Sequence, residues 1–155
     1  MALGTRRNGR EYALKVLYSL YDQEEPVDVV LRNFWHNFRF KEDVLGEPTD
    51  ADSPLAADIV EFTEQLVLGV YENLEDIDKL LLDISKNWAL DRMPRLDLSL
   101  MRLACYELVW TPQTPSGVVI NEAIEIAKRY GTKDTPAFLN GVLDKVAKQA
   151  QLKKQ

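Results

Sequence analysis

In Leu96-Asp-Leu-Ser-Leu-Met-Arg-Leu-Ala-Cys-Tyr-Glu-Leu-Val-Trp110, apolar residues fall on nearly every side of what would be about four turns of helix. Leu96, Leu100 and Leu103 make one stripe. Met101, Cys105 and Leu108 make a second, rotated about the axis. A surface helix needs a polar side, so a helix this apolar belongs at the centre, packed on several neighbours. Its few polar groups, Asp97, Arg102 and Glu107, are therefore candidates for a contact surface or for buried pairing.

The segments around it read as further helices. Downstream, Pro112 and Pro115 stop the central helix and hold an extended link. A sixth helix is expected over Val118 to Tyr130, with Ile120, Ala123, Ile124 and Ala127 inward and Gly131 as a left-handed cap. Thr135-Pro136 supplies a cap and a first-turn proline for a seventh, whose buried stripe is Leu139, Val142, Leu143 and Val146. Upstream, Ile77, Leu80, Leu81 and Ile84 mark a fourth helix, and Ile59, Phe62, Leu66 and Val70 a third that Ser53-Pro54 would start. Val27 to Phe40 reads as a second, and Thr5 to Asp22 as a first carrying Ala13, Val16, Leu17 and Leu20 inward. Residues 41–54 form an acidic loop in which Gly46, Pro48 and Pro54 deny regular structure. No strand or hairpin signal appears, so the expected class is all-α, in a single domain spanning 1–155.

Composition bounds the function. The formal net charge is −6, which argues against non-specific nucleic-acid binding, yet Arg6, Arg7 and Arg10 give the chain a basic N-terminal arm over residues 1–10. Cations at a helix start oppose the helix dipole, which leaves either a frayed, solvated terminus or an anionic partner. The one cysteine, Cys105, lies inside the apolar helix and reads as a buried structural thiol in a reducing cytosol. No signal segment or membrane-length apolar run is present, which points to a soluble cytoplasmic protein without membrane contact.

Several chemistries lack their residues. Without strands there is no phosphate-binding loop of the usual kind. A single His36 and a single Cys105 support neither a nucleophilic set nor a metal site, and no cofactor is implied. Glu122 and Glu125 are expected on the exposed face of the sixth helix, as solvated acids. The aromatic run Phe34-Trp-His-Asn-Phe-Arg-Phe40 can stack on unpaired bases or fill a core. Taken together the residues describe a helical interaction module, not an enzyme.

More specific signals lie in four segments. Arg6-Arg-Asn-Gly-Arg-Glu-Tyr-Ala-Leu-Lys-Val-Leu-Tyr-Ser19 resembles the opening of the NusB family of bacterial transcription antitermination factors. The resemblance continues through Leu100-Met-Arg-Leu-Ala-Cys-Tyr-Glu-Leu108, Val119-Ile-Asn-Glu-Ala-Ile-Glu-Ile-Ala-Lys-Arg-Tyr-Gly131 and Phe138-Leu-Asn-Gly-Val-Leu-Asp-Lys145. It implies a seven-helix fold of two subbundles, three helices and then four, meeting at a steep angle. It further implies binding of the boxA element of ribosomal RNA leader transcripts, together with the small-subunit ribosomal protein NusE. The complex would act on RNA polymerase with other Nus factors and support read-through of terminators.

By the same resemblance, Arg6, Arg7 and Arg10 belong to an RNA-binding start, where guanidinium groups neutralise phosphates and stack on splayed bases. Tyr18 would stand at the RNA or partner edge. Asp134 and Phe138 match positions near the RNA, a carboxylate able to accept from base amines and a ring able to stack. Asp97, accompanied by Arg102, matches a NusE-facing position. Read as plain structure, Asp134 is a solvated acid at a helix start and Phe138 a core contact. An alternative function is a helical dimerisation module without RNA binding, since some family members self-associate over the NusE surface. A relative of the similar domain that precedes some ribosomal RNA methyltransferases would need a catalytic domain, and the chain ends at Gln155 without one.

Overall fold

The computed structural model describes residues 3–20, 25–37, 57–85 and 92–153. These carry α1 (Leu3–Leu20), α2 (Val27–Asn37), α3 (Ala57–Glu72), α4 (Leu74–Ile84), α5 (Arg95–Trp110), α6 (Ser116–Tyr130) and α7 (Thr135–Lys153). There is no strand among the described residues, and the class is all-α. No helix among them is long and apolar enough to cross a membrane. The acidic stretch 41–54, the Ser53-Pro54 start and residues 38–40 of the aromatic run lie outside the described residues.

The chain divides into two compact units after Tyr71. In the first, α1 packs on α2, and Ala13, Leu14, Val16, Val30, Leu31, Leu66, Val67 and Val70 are buried. Tyr12 stacks edge-on against Trp35 with ring centroids 6.2 Å apart, and Trp35 donates from Nε1 to Glu64 at 3.0 Å. The described part of the aromatic run therefore ties α1, α2 and α3 together. α1 begins at Leu3, so Arg6 and Arg7 stand on a formed helix rather than before it.

In the second unit α5 is the hub. It packs on α4, α6 and α7, and its buried residues include Leu98, Leu100, Met101, Leu103, Ala104, Cys105 and Leu108. The all-round apolar pattern thus has its expected consequence. Pro94 and Pro115 stand just before α5 and α6 in extended backbone, at φ −53° and −58°, and each carbonyl accepts an amide of the first turn. Proline presets φ there and gives up an amide that a helix start leaves unpaired in any case. On α7 Leu139, Val142, Leu143 and Val146 are all buried, as their spacing predicts.

Two expectations for α6 are corrected. Its buried residues are Val119, Glu122, Ala123, Ile126 and Ala127, so Ala123 and Ala127 face inward while Ile120 and Ile124 are half-buried. Glu122, expected in solvent, is only 3% exposed, whereas Glu125 stays near the surface and pairs with Lys128 at 3.1 Å. Apolar doublets such as Val119-Ile120 and Ala123-Ile124 leave the inward face ambiguous by about one residue, or roughly 100° of rotation.

Gly131 departs from expectation as well. Its backbone is extended, at φ −89° and ψ −175°, not left-handed. Glycine is required there by space: a Cβ would lie 2.8 Å from both Cβ and Oγ1 of Thr135 and 2.9 Å from the Ala127 carbonyl oxygen. The start of α7 also differs by one residue from the expected cap. Thr135 is the first helical residue, and the Asp134 carbonyl accepts from the Phe138 amide at 3.2 Å.

Candidate functional site

The residues singled out in the sequence fall into two groups, one in each unit. In the first unit α3 presents Phe62 to α1. The Arg6 guanidinium lies 4.9 Å from the ring centroid and that of Arg10 5.5 Å, so two arginines one turn apart share one aromatic ring. The quadrupole of the ring attracts such cations, more so where solvent is excluded. Gly9 makes the approach possible, since a Cβ there would stand 2.6 Å from Phe62 Cδ2. Thr63, next to Phe62, donates to the Ile59 carbonyl at 2.7 Å and lies 3.3 Å from the Gly9 carbonyl oxygen. Arg10 is only 2% exposed, while Arg6 and Arg7 are half-buried. Tyr18, also half-buried, follows Arg7 by about three turns on the same side of α1.

In the second unit, the starts of α5 and α7 meet. Met93, Pro94, Asp97, Thr132, Asp134, Thr135 and Phe138 line a cleft of about 340 Å³. Three of the residues named from the sequence, Asp97, Asp134 and Phe138, are therefore brought to one place. Asp97 is 7% exposed, and burial raises its carboxyl above the usual carboxylate range while the hydrogen bond from Thr135 opposes the rise. That bond, from Thr135 Oγ1 to Asp97 Oδ1, is 3.0 Å long. Asp134 is exposed and Phe138 half-buried. The wall is thus apolar at Met93, Pro94 and Phe138 and carries the carboxyl groups of two aspartates. Chemically it suits a flat or cationic group that can lie on a ring and donate to a carboxylate.

Arg102 does not line this cleft. Its guanidinium is engaged with Asp78 of α4 through two parallel hydrogen bonds, Nε to Oδ1 at 2.8 Å and a second NH to Oδ2 at 2.9 Å. Such a forked pair fixes both side chains and ties α4 to α5. Cys105 is buried beneath, its thiol pushed up to about 12 by burial and then by the Asp78 charge. Among the described residues, no three of His, Cys, Asp and Glu are placed to hold a metal ion.

Two residues were not foreseen in these roles. Phe62 reads in sequence as one more member of an apolar stripe, and only Gly9, inside an otherwise regular helical run, hints at a close neighbour. Thr135 reads as a helix cap, while its hydroxyl in fact bridges to α5.

The model of the NusB family matches residues 7–148 of this chain. The transcription antitermination protein NusB of Syntrophotalea carbinolica is 53% identical over 149 residues, which cover 96% of this chain and 95% of that one. Among solved structures, T. maritima NusB is 32% identical, with a TM-score of 0.78 over 96% of this chain and 94% of its own. A crystal structure of the antitermination factors NusB and NusE in complex with dsRNA has a chain 21% identical, with a TM-score of 0.77 over 96% and 99%. That last likeness is one of fold. With a family model matched over most of its length and a close relative at 53% identity, the chain belongs to the NusB family.

Proposed function

We propose that this protein binds the boxA element of ribosomal RNA leader transcripts together with NusE, and so helps RNA polymerase and other Nus factors read through terminators. A NusB-family chain acts in transcription antitermination, by binding, and is not an enzyme. The observation that carries the finer reading is the meeting of Asp97, Asp134 and Phe138 in one cleft. An exposed carboxylate beside an aromatic ring offers an unpaired base both an acceptor and a stacking surface. Asp97, on the α5 side of the same cleft, offers a carboxylate to NusE. On α1, Arg6 and Arg7 supply phosphate contacts with Tyr18 at the edge, and buried Arg10 shares Phe62 with Arg6 and holds that arrangement in place. Arg102 supports the NusE-facing helix through Asp78.

The test is binding of a boxA RNA and a scrambled RNA of equal composition, each with and without NusE, at near-physiological salt. The expected outcome is preference for boxA that sharpens when NusE is added. Equal, weak binding of both RNAs with no effect of NusE would remove the RNA role. A self-association that NusE disrupts would then make the protein a dimerisation module.

A further inference from the structure

We propose that Thr135 is a positioning residue that couples partner binding at Asp97 to RNA binding at Asp134 and Phe138. This rests on the reading that the cleft serves both RNA and NusE. The hydroxyl of Thr135 has one hydrogen, and it is directed to Asp97 Oδ1 at 3.0 Å. The same oxygen accepts from the Thr132 amide at 3.0 Å and stands 3.1 Å from the Thr132 hydroxyl. With its own proton committed to Asp97, Thr135 leaves the Thr132 hydroxyl as the donor in that last contact. One buried oxygen therefore joins the first turn of α5, the turn before α7 and the first residue of α7.

Asp134 and Phe138 flank this joint. Asp134 directly precedes Thr135, and the Phe138 amide donates to the Asp134 carbonyl at 3.2 Å. Gly131 closes the far side, where a Cβ would already be 2.8 Å from Thr135 Oγ1. Any side chain at 131 would therefore push on this hydroxyl, and glycine leaves it free to keep its bonds to Asp97 and Thr132. A partner donor that engages the Asp97 carboxylate draws charge from Oδ1 or turns the group, which weakens or reorients its bond from Thr135 and shifts the seating of the α7 start. By linkage, RNA that orders Asp134 and Phe138 must favour the Asp97 geometry to the same degree. The path is one side chain long, which makes it open to a direct double-mutant test.

The experiment measures the factor by which saturating NusE tightens boxA RNA binding, in wild type, Thr135→Val and Thr135→Ser. Valine keeps the shape and removes the hydroxyl; serine keeps the hydroxyl. The factor should fall toward unity in Thr135→Val, a loss of about tenfold, or roughly 1.4 kcal/mol of coupling. It should keep its wild-type value in Thr135→Ser, a rescue that a loss of general stability would not show. A Thr135→Val protein with the wild-type factor overturns the proposal. Where thermal melting shows that valine has unfolded the protein, Thr132→Val, which removes only the outer hydroxyl, is expected to lower the factor in part, and an unchanged factor overturns it. A wild-type factor of unity refutes the shared-cleft reading itself and this proposal with it. A factor above unity that survives in Thr135→Val refutes the role of Thr135 alone.

Discussion

At Asp97 two demands oppose each other. It stands in the first turn of α5, where the helix dipole favours a carboxylate, yet it is nearly out of solvent and its carboxyl is raised by burial. A carboxyl whose folded pKa lies above its unfolded one contributes stability that is full below the unfolded value. That contribution is lost as pH rises through the folded value. Ionised Asp97 is thus a cost at neutral pH. Asp97→Asn keeps an oxygen for Thr135 and removes the charge, so its melting temperature should exceed wild type at pH 7 and match it at pH 3. Melts at the two pH values check this, and an advantage that persists at pH 3 would show that charge is not the cause. The same variant should bind NusE more weakly. Cys105 makes a separate prediction: with its thiol pushed up to about 12 and no exposure, alkylation at pH 8 should be slow until denaturant is added. Fast labelling of the native protein would contradict that burial.

At the scale of elements, packing residues decide which helices meet. The Arg102–Asp78 fork holds α5 to α4, with side chains 20% and 27% exposed, so part of its strength is screened. Arg102→Ala should cost about 1–2 kcal/mol in denaturant unfolding. Gly9 is a sharper case. Alanine at a helix interior ordinarily gains up to about 1 kcal/mol over glycine, but here the added carbon meets the Phe62 ring. Gly9→Ala should therefore destabilise by about 1–2 kcal/mol, as read by urea unfolding, and also weaken RNA binding by displacing the ring under Arg6. A stabilised Gly9→Ala would mean that the ring moves freely. These close approaches explain what was and was not legible at this scale. The α7 stripe has single apolar residues at clean helical spacing and was readable. The α6 stripe is built from doublets, and its inward face had to be chosen by neighbours. Gly131 looked like a cap because glycine after a helix commonly is one, whereas the neighbour Thr135 is what demands it.

For the whole molecule, a net charge of −6 coexists with arginines gathered on α1. Non-specific binding grows with phosphate contacts, so a small basic area on an acidic protein favours selectivity over reach. If Arg6 and Arg7 make the phosphate contacts while Arg10 stays in the core, the slope of log affinity against log salt should be about −1.4 for single-stranded RNA, against about −2.1 for three contacts. Titration of boxA RNA across salt concentrations distinguishes them. Replacing Arg6 and Arg7 by alanine should flatten the slope nearly to zero, and a slope unchanged by that double variant would place the phosphate contacts elsewhere. The acidic remainder suits attraction to a basic ribosomal protein, so NusE binding should also weaken as salt rises.

The sequence by itself determined the helical class, the central place of α5, the cores of α5 and α7, and the family, because periodic burial and ordered motifs are written in local spacing. It also marked Asp97, Asp134 and Phe138 through resemblance to that family. Tertiary structure alone decided that these three share a cleft, that Arg10 is buried against Phe62, that Glu122 faces inward and that Thr135 joins α5 to α7. Each of those depends on contacts between residues far apart in the chain, which are set only when helices pack and side chains exclude water. Local spacing carries no record of the neighbour that will arrive.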